Sequence, residues 1–111
     1  MGSAIIYLRV STAKQAVSEN GLGAQEDACR AYAEANGLNV AGVFVDAGVS
    51  GSSELAERPA MMDAINGLNK GDVLVVAKRD RIARDVLISA CMEKMVSNRK
   101  ATIESADGAG N

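Results

Sequence analysis

The stretch Ala4-Ile5-Ile6-Tyr7-Leu8-Arg9-Val10-Ser11-Thr12 is an apolar run, broken by one arginine, that ends in two hydroxyl residues. Its mostly apolar character over 4–10 predicts a buried strand. Because strand side chains alternate between faces, we expect Tyr7, Arg9 and Ser11 on one face. A buried guanidinium needs a partner, and beside Ser11 it makes the hydroxyl a candidate nucleophile for an anionic substrate. On this stretch alone, a structural ion pair followed by a turn serine is the favoured interpretation.

The composition is typical of a single globular domain. The chain has 111 residues, of which 48% are hydrophobic and 23% charged, enough for a modest core. No apolar run has the length of a membrane span. The first apolar stretch also lacks the basic leader of a signal peptide, so we expect a cytoplasmic protein. Cys29 and Cys91 lie in apolar helical patterns and are predicted to be reduced core residues.

The absence of histidine narrows the possible chemistry. It excludes Ser-His-Asp and Cys-His catalysis and most zinc sites. The three aromatic residues are too few for a base-stacking platform. The net charge is −2, which argues against an extensive phosphate-binding surface. Residues 70–84 nevertheless carry five basic and two acidic side chains, and this local cationic segment suggests a site on an acidic protein.

The apolar runs and helical patterns alternate along the chain. We predict strands over 4–10, 40–45, 73–77 and 101–105, with helices over 22–36, from Pro59 to about Leu68, and over roughly 85–98. Gly37 is the expected C-cap of the first helix, and 12–20 and 46–58 are expected loops. This order predicts an α/β fold with a mostly parallel, four- to five-stranded sheet flanked by helices. The predicted domain covers 1–105, and 106–111 is expected to be a disordered tail.

The helix predicted over 85–98 is apolar around much of its circumference. One row contains Leu87, Cys91 and Met95, and the neighbouring row contains Ile88, Met92 and Val96. A wide stripe covering the sheet is the preferred interpretation. The alternative is that one row contacts a partner subunit.

Three predicted strands bring polar residues to one edge of the sheet. In open α/β sheets, ligands bind beyond the carboxyl ends of the strands. Ser11, Asp46 and the segment Lys78-Arg79-Asp80-Arg81 all follow such ends. A charge run alone is usually a solvated face, but its place directly after a buried strand favours a functional site.

The basic segment can form a phosphate-binding fork. If a helical turn starts near Asp80, Arg81 and Arg84 lie on one face, and Asp80 can pair with Arg84. Two arginines on one face suit the non-bridging oxygens of a phosphate. With Arg9, they would form a three-arginine cage around one anion.

Other polar residues near this edge have less specific roles. The Asp46 carboxylate could bind a cation, transfer a proton or cap its loop. Arg58 could reach the same edge or lie on the surface, and Gln15 and Gln25 could orient a substrate or face solvent. The glycines of the 46–58 loop do not match the P-loop or the dinucleotide fingerprint.

Taken in order, these motifs resemble the catalytic domain of serine recombinases, the resolvase/invertase family. They are Tyr7-x-Arg9-Val10-Ser11-Thr12-x-x-Gln15, Asp46-x-Gly48-x-Ser50-Gly51, Glu57-Arg58-Pro59 and Asp80-Arg81-Ile82-Ala83-Arg84. Each motif is short, but their order and spacing cover nearly the whole chain. Arg79 departs from the pattern, since many relatives have an apolar residue there.

The resemblance implies site-specific DNA strand exchange through a 5′-phosphoserine link. Ser11 would be the nucleophile, while Arg9, Arg81 and Arg84 would bind the scissile phosphate and stabilise its transition state. Asp80 would be a supporting acid or would position the arginines. Supporting contacts around the nucleophile and phosphate are expected from the remaining candidates, Tyr7, Gln15, Gln25, Asp46, Arg58 and Lys78. No metal ion, nucleotide or other cofactor is implied, and an arginine, Asp80 or water would take the serine proton.

The resemblance also implies DNA as partner, with dimers and tetramers of a longer protein. The family's dimerisation helix and DNA-binding module are absent from these 111 residues, so we expect the isolated domain to be inactive and its site loosely assembled. Two alternatives stay open. One is a non-catalytic α/β interaction or regulatory domain derived from a recombinase, and the other is a small domain that binds or hydrolyses phosphate esters.

Overall fold

The computed structural model describes residues 2–10, 22–47, 59–77 and 86–106. They form four strands, β1 (Ser3–Val10), β2 (Asn39–Ala47), β3 (Val73–Val76) and β4 (Thr102–Ser105). Three helices alternate with them, α1 (Leu22–Ala35), α2 (Pro59–Asn66) and α3 (Val86–Asn98). The sheet order is β2-β1-β3-β4, and every pairing is parallel. The predicted α/β fold is therefore confirmed.

The central strand β1 is buried on both faces. Ala4 to Leu8 are each no more than 4% exposed, which explains why this part of the strand is continuously apolar rather than alternating. Side chains of one parity, including Tyr7, pack against α2 and α3. Those of the other parity, including Ile6, pack against α1. The domain thus has three layers, with helices on both faces of the sheet.

Two helices end in the same hydrogen-bonded turn. After α1, Leu38 N donates to the Ala33 carbonyl, and Gly37 has a φ of +69°. After α3, Ala101 N donates to the Val96 carbonyl, and Lys100 has a φ of +59°. Both are Schellman-type C-caps, which need a left-handed residue. The predicted Gly37 cap is confirmed. The cap after α3 has a lysine at the left-handed position, so no glycine marks it in the sequence.

The other edge of the sheet, where the strands begin, is tied together by Asp72. This carboxylate is 7% exposed and accepts hydrogen bonds from Ser3 N at 3.0 Å and Asn69 N at 2.8 Å. It therefore joins the start of β1 to the turn before β3, far along the strands from Asp46.

Several element boundaries differ from the predicted ones. β2 extends through Asp46 and Ala47, which the sequence pattern assigned to a loop, because pairing with β1 continues to Val10. Ala106, assigned to the tail, donates a hydrogen bond to the Val76 carbonyl at 2.7 Å. The expected loop 12–20 and the end of the tail lie outside the described residues.

The prediction that both cysteines lie in the core is wrong for Cys91. Cys29 is fully buried on α1, but Cys91 is exposed on α3. The row of α3 that meets the sheet contains Met92 and Val96, while Met95 is partly buried beside it. A helix that is apolar around most of its surface does not indicate which row faces inward. Among the described helices, none is long and apolar enough to cross a membrane.

Candidate active site

The strand order locates a ligand-binding edge. From β1 the chain moves outward to β2, then returns to the other side of β1 for β3 and β4. The switch point therefore lies between β1 and β3, and ligands of open α/β sheets bind at the carboxyl ends beside such a point. Ser11 directly follows β1, and Lys78 is two residues beyond β3. The topology thus places the ends of β1 and β3, which precede the two candidate segments in the sequence, next to each other at one edge of the sheet.

The parallel register aligns β1 with Asp46 on β2. Arg9 is the backbone partner of Asp46, and Tyr7 is the partner of Phe44. Asp46 lies near the end of β2, at the edge of the sheet where β1 ends. Its carboxylate is only 4% exposed, so this buried charge requires hydrogen-bonding partners.

Three donors from two elements surround the Asp46 carboxylate. The Tyr7 hydroxyl donates to Oδ2 at 2.9 Å. Ala60 N donates to Oδ1 at 3.0 Å, and Met61 N donates to Oδ2 at 3.1 Å. Asp46 therefore joins β1, β2 and the first turn of α2. Of the roles left open for it, this geometry corresponds to a cap, since the carboxylate satisfies helix donors that have no intrahelical partner.

The local sequence explains why α2 is capped from a distance. Pro59 at the first helical position has no N–H, so the orphan donors begin at Ala60. Arg58, which precedes Pro59, has no side-chain acceptor. A carboxylate at a helix N-terminus is also favoured by the helix dipole. The sequence does show that no capping side chain directly precedes α2. It does not show that Asp46 supplies the cap.

Gln25 lies on the opposite side of the sheet from Tyr7 and Asp46. It is 5% exposed on the first turns of α1, in the same helical row as Cys29 and Ala33. That row packs on the α1 face of the sheet. Because α1 ends shortly before β2 begins, its first turns are at the edge where β1 ends. Gln25 is thus near the same edge as Asp46 but on the other face of the sheet.

The described residues contain only part of the predicted site. Tyr7 and Asp46 contact each other, Gln25 is near the same edge, and Arg9 is described only as a backbone position of β1. The other candidates lie outside the described residues, namely Ser11, Gln15, Arg58, Lys78, Asp80, Arg81 and Arg84. Their predicted roles, and the expected looseness of the site, stay predictions.

Neither the described cysteines nor the described carboxylates suggest a different chemistry. Burial, with a smaller effect of the Glu26 charge, raises the pKa of the Cys29 thiol to about 12. A thiol with this pKa is not a nucleophile near neutral pH. Within the described ranges, no group of three or more cysteine, aspartate and glutamate side chains could hold a metal ion.

The parallel sheet with helices on both faces and a switch point between β1 and β3 defines the class of three-layer, open α/β domains. The family model for the resolvase N-terminal domain matches residues 4–110. The chain belongs to the resolvase family and corresponds to the catalytic domain of serine recombinases. The resemblance drawn from the sequence motifs is therefore confirmed.

Solved structures agree with this assignment. The N-terminal catalytic domain of TP901-1 integrase is 32% identical with a TM-score of 0.82, over 95% of this chain and 78% of that one. The C-terminal catalytic domain of ISC1926 TnpA, an IS607-like serine recombinase, is 26% identical with a TM-score of 0.76, over 93% and 68%. A resolvase family site-specific recombinase from Streptococcus pneumoniae is 26% identical with a TM-score of 0.73, over 97% and 74%. No curated protein sequence matches the chain significantly.

Proposed function

We propose that this chain is the DNA-cleaving domain of a site-specific serine recombinase, with Ser11 as its nucleophile. The Ser11 oxygen attacks a backbone phosphodiester, the 3′ oxygen leaves with a proton, and the 5′ phosphate becomes bonded to the serine. Attack by a 3′-hydroxyl on the phosphoserine reverses these bonds and rejoins the strand. The link keeps the phosphodiester energy, so the reaction needs no nucleotide cofactor.

The observation that carries this proposal is the position of Ser11 in a domain of this family. In the sequence, Ser11 directly follows the central strand β1, and the switch point of the sheet lies between β1 and β3. Arg9 is two residues before it on that strand, aligned with Asp46. The segment with Arg81 and Arg84 begins shortly after β3, the neighbour of β1 on its other side.

Arginines suit the chemistry of this transfer. Catalysis of phosphoryl transfer depends mainly on positioning and on neutralising charge over the phosphate oxygens. Arg9, Arg81 and Arg84 provide fixed positive charge and paired N–H donors for that purpose. Arg58 assists from the segment before α2, and Asp80 positions the arginines or acts as an acid. Gln15 and Gln25 support the nucleophile, and Lys78 adds positive charge to the edge.

The proposal includes DNA as partner and assembly as dimers and tetramers in a longer protein. A net charge of −2 provides little non-specific attraction to a duplex. Sequence-specific binding is therefore assigned to a module outside these residues. Family membership favours this function over a non-catalytic interaction domain.

A covalent adduct assay tests the proposal. The chain is joined to a dimerisation helix and a DNA-binding module of known sequence preference. It is then incubated with labelled duplex in which two copies of that site flank a central sequence. We expect a denaturation-resistant protein–DNA adduct that Ser11→Ala abolishes. Ser97→Ala, which changes an exposed serine of α3, is the matched control and leaves the adduct unchanged. An adduct that persists in Ser11→Ala would refute the proposed nucleophile.

A further inference from the structure

Exposed basic side chains from two separate turns meet at the edge of the sheet where the strands begin. Lys70 lies in the turn before β3, and Arg99 and Lys100 lie in the turn between α3 and β4. A hydrogen bond of 2.9 Å from Gly71 N to the Lys100 carbonyl joins the two turns. Residues that are far apart in the sequence thus form one group, the basic cluster of Lys70, Arg99 and Lys100.

The positive charge of the basic cluster is not neutralised by ion pairs within the described part of the chain. The single ion pair between described residues joins Arg30 to Glu26 on α1. Asp72 supplies one negative charge at this edge, but its buried carboxylate accepts hydrogen bonds from Ser3 N and Asn69 N. The basic cluster therefore presents a net positive charge to solvent.

The Arg99 guanidinium is held in place by the end of α2 and the turn after it. Its Nη2 donates to Oδ1 of Asn66 at 3.2 Å, and its Nη1 donates to the Leu68 carbonyl at 3.3 Å. A guanidinium has five N–H donors, so these two bonds orient the group and leave donors for an external acceptor. An oriented guanidinium loses less conformational freedom when it binds an oxyanion.

Lys100 occupies a backbone position that favours glycine. Its φ is +59°, whereas the equivalent turn after α1 has Gly37. Left-handed backbone is unfavourable for a residue with a side chain. The Lys100 ammonium forms no ion pair with another described residue that would offset this strain. Strain of this kind is typical of functional positions, and here it keeps a positive charge in the turn that contacts Gly71.

The neighbours of the basic cluster favour a phosphate backbone over a protein surface as its ligand. The exposed neighbours in the two turns are small or polar, namely Gly67, Asn69, Gly71 and Asn98. Protein interfaces use aromatic and apolar anchors and are depleted in lysine. Non-specific contacts with nucleic acid are instead made by lysine and arginine with phosphates.

We propose that the basic cluster binds the phosphate backbone of DNA, at the edge of the sheet opposite the end of β1. The choice of DNA rests on the proposed function, but the contact itself requires no cleavage. The 8 residues of β1 separate the two edges by about 25 Å of extended chain. The basic cluster therefore contacts phosphates other than those at the edge where β1 ends, and it does so independently of base sequence.

Equilibrium binding at several low salt concentrations tests this contact. The full chain of 111 residues is titrated into a labelled duplex, and the measurement is repeated with a duplex of unrelated sequence. The logarithm of the affinity falls linearly with the logarithm of the salt concentration, with a slope that reports the number of phosphates contacted. We expect Lys70→Gln and Lys100→Gly each to weaken binding equally for both duplexes and to reduce this slope by about 1.

Two features of these variants separate the charge from other effects. Lys100→Gly also relieves the left-handed strain, so weaker binding by this variant does not come from unfolding. Arg30→Gln is the matched control, because it removes an exposed cation of α1 that is already paired with Glu26. We expect this control to leave the slope unchanged.

The proposal is overturned by an unchanged slope in the double variant Lys70→Gln, Lys100→Gly, or by a reduction of the same size in Arg30→Gln. Absence of binding by the unsubstituted chain at low salt would also overturn it. Sedimentation without DNA tests the alternative partner, a second copy of the chain. Self-association that the double variant abolishes, with DNA affinity unchanged, would assign the basic cluster to an interface between copies. Because the binding measurement involves no cleavage, a failed adduct assay would refute the proposed function and leave this result in force.

Discussion

The Tyr7 hydroxyl lies 2.9 Å from Oδ2 of Asp46 and donates a hydrogen bond to it, which joins β1 to β2 beside the start of α2. Both side chains are buried, at 1% and 4% exposure. A hydrogen bond to a buried charged acceptor contributes more than one between neutral groups. This hydrogen bond therefore contributes to the stability of the fold. It also holds the end of β1, which Ser11 follows in the sequence, to β2.

Tyr7→Phe removes the hydroxyl that donates to Asp46 and keeps the aromatic ring. We expect the free energy of unfolding to fall by about 2 kcal/mol, because the carboxylate loses one of its donors in a buried place. In urea denaturation, this loss of free energy appears as a lower midpoint concentration of urea, while the dependence of the free energy on urea concentration is unchanged. In an Asp46→Ala background the same change should cost much less, since the acceptor is already absent. Equal costs in both backgrounds would show that the hydroxyl does not act through Asp46.

Tyr32 is predicted to ionise at unusually high pH. Its hydroxyl donates to the Glu104 carboxylate, and this bond, with burial and the Glu104 charge, raises the pKa of Tyr32 to about 12. The ordinary tyrosine pKa is about 10. The stability contributed by this pair is therefore complete below pH ~10 and is lost as the pH rises through about 12.

Ultraviolet titration of a Tyr7→Phe protein checks this, because Tyr32 is then the single tyrosine of the chain. Glu104→Gln should return the midpoint toward 10, with circular dichroism showing that the protein is still folded. A midpoint that Glu104→Gln leaves unchanged would contradict the assigned cause.

Lys100→Gly is predicted to stabilise the protein. Lys100 has a φ of +59° at the C-cap of α3, where α1 has Gly37 in the equivalent turn. Left-handed backbone costs a residue with a side chain about 1 kcal/mol more than glycine. After allowing for the entropy of glycine in the unfolded chain, we expect a gain of about 0.5–1 kcal/mol.

The same exchange within α3 is its control. Lys94→Gly replaces an exposed lysine inside the helix and should lower stability by about 1 kcal/mol. Thermal unfolding of both variants measures the two opposite shifts. Destabilisation by Lys100→Gly would mean that the lysine side chain contributes more than the strain it causes.

The two cysteines should differ sharply in reactivity. Cys29 is buried with a thiol pKa raised to about 12, whereas Cys91 is exposed. At pH 8 a disulfide reagent should therefore modify the exposed Cys91 thiol quickly. Cys91→Ser should abolish this fast reaction. Cys29 should react only after unfolding in urea. Rapid modification of the Cys91→Ser protein would contradict the described burial of Cys29.

The fold could be predicted from the sequence because its strands are buried on both faces. Continuous apolar runs such as Ala4 to Leu8 and Val73 to Val76 distinguish buried strands from the helices between them. The end of α1 could also be predicted, because glycine readily adopts the left-handed backbone conformation that Gly37 has at this C-cap. Rotation of α3 could not be predicted, since its apolar residues surround the helix and Cys91 and Met92 look equivalent in the sequence.

The site could be predicted only as a group of residues at one edge. Sequence spacing and the family resemblance pointed to Tyr7 and Asp46, but not to the bonds between them. Those bonds depend on the register between β1 and β2 and on the return of the chain at Ala60, which are tertiary features. The missing acceptor at Arg58 was the single local sign that α2 needs a cap from elsewhere.

The residue that becomes bonded to DNA can be identified directly in the covalent adduct. The adduct formed by the chain with its DNA-binding module is digested with nuclease and trypsin, and the phosphorylated peptide is sequenced by mass spectrometry. Cleavage after Arg9 and Lys14 yields the peptide 10–14, in which Ser11 and Thr12 are the only hydroxyl residues. We expect the phosphate on Ser11. Phosphate on Thr12, on Tyr7 or on any other residue would contradict it.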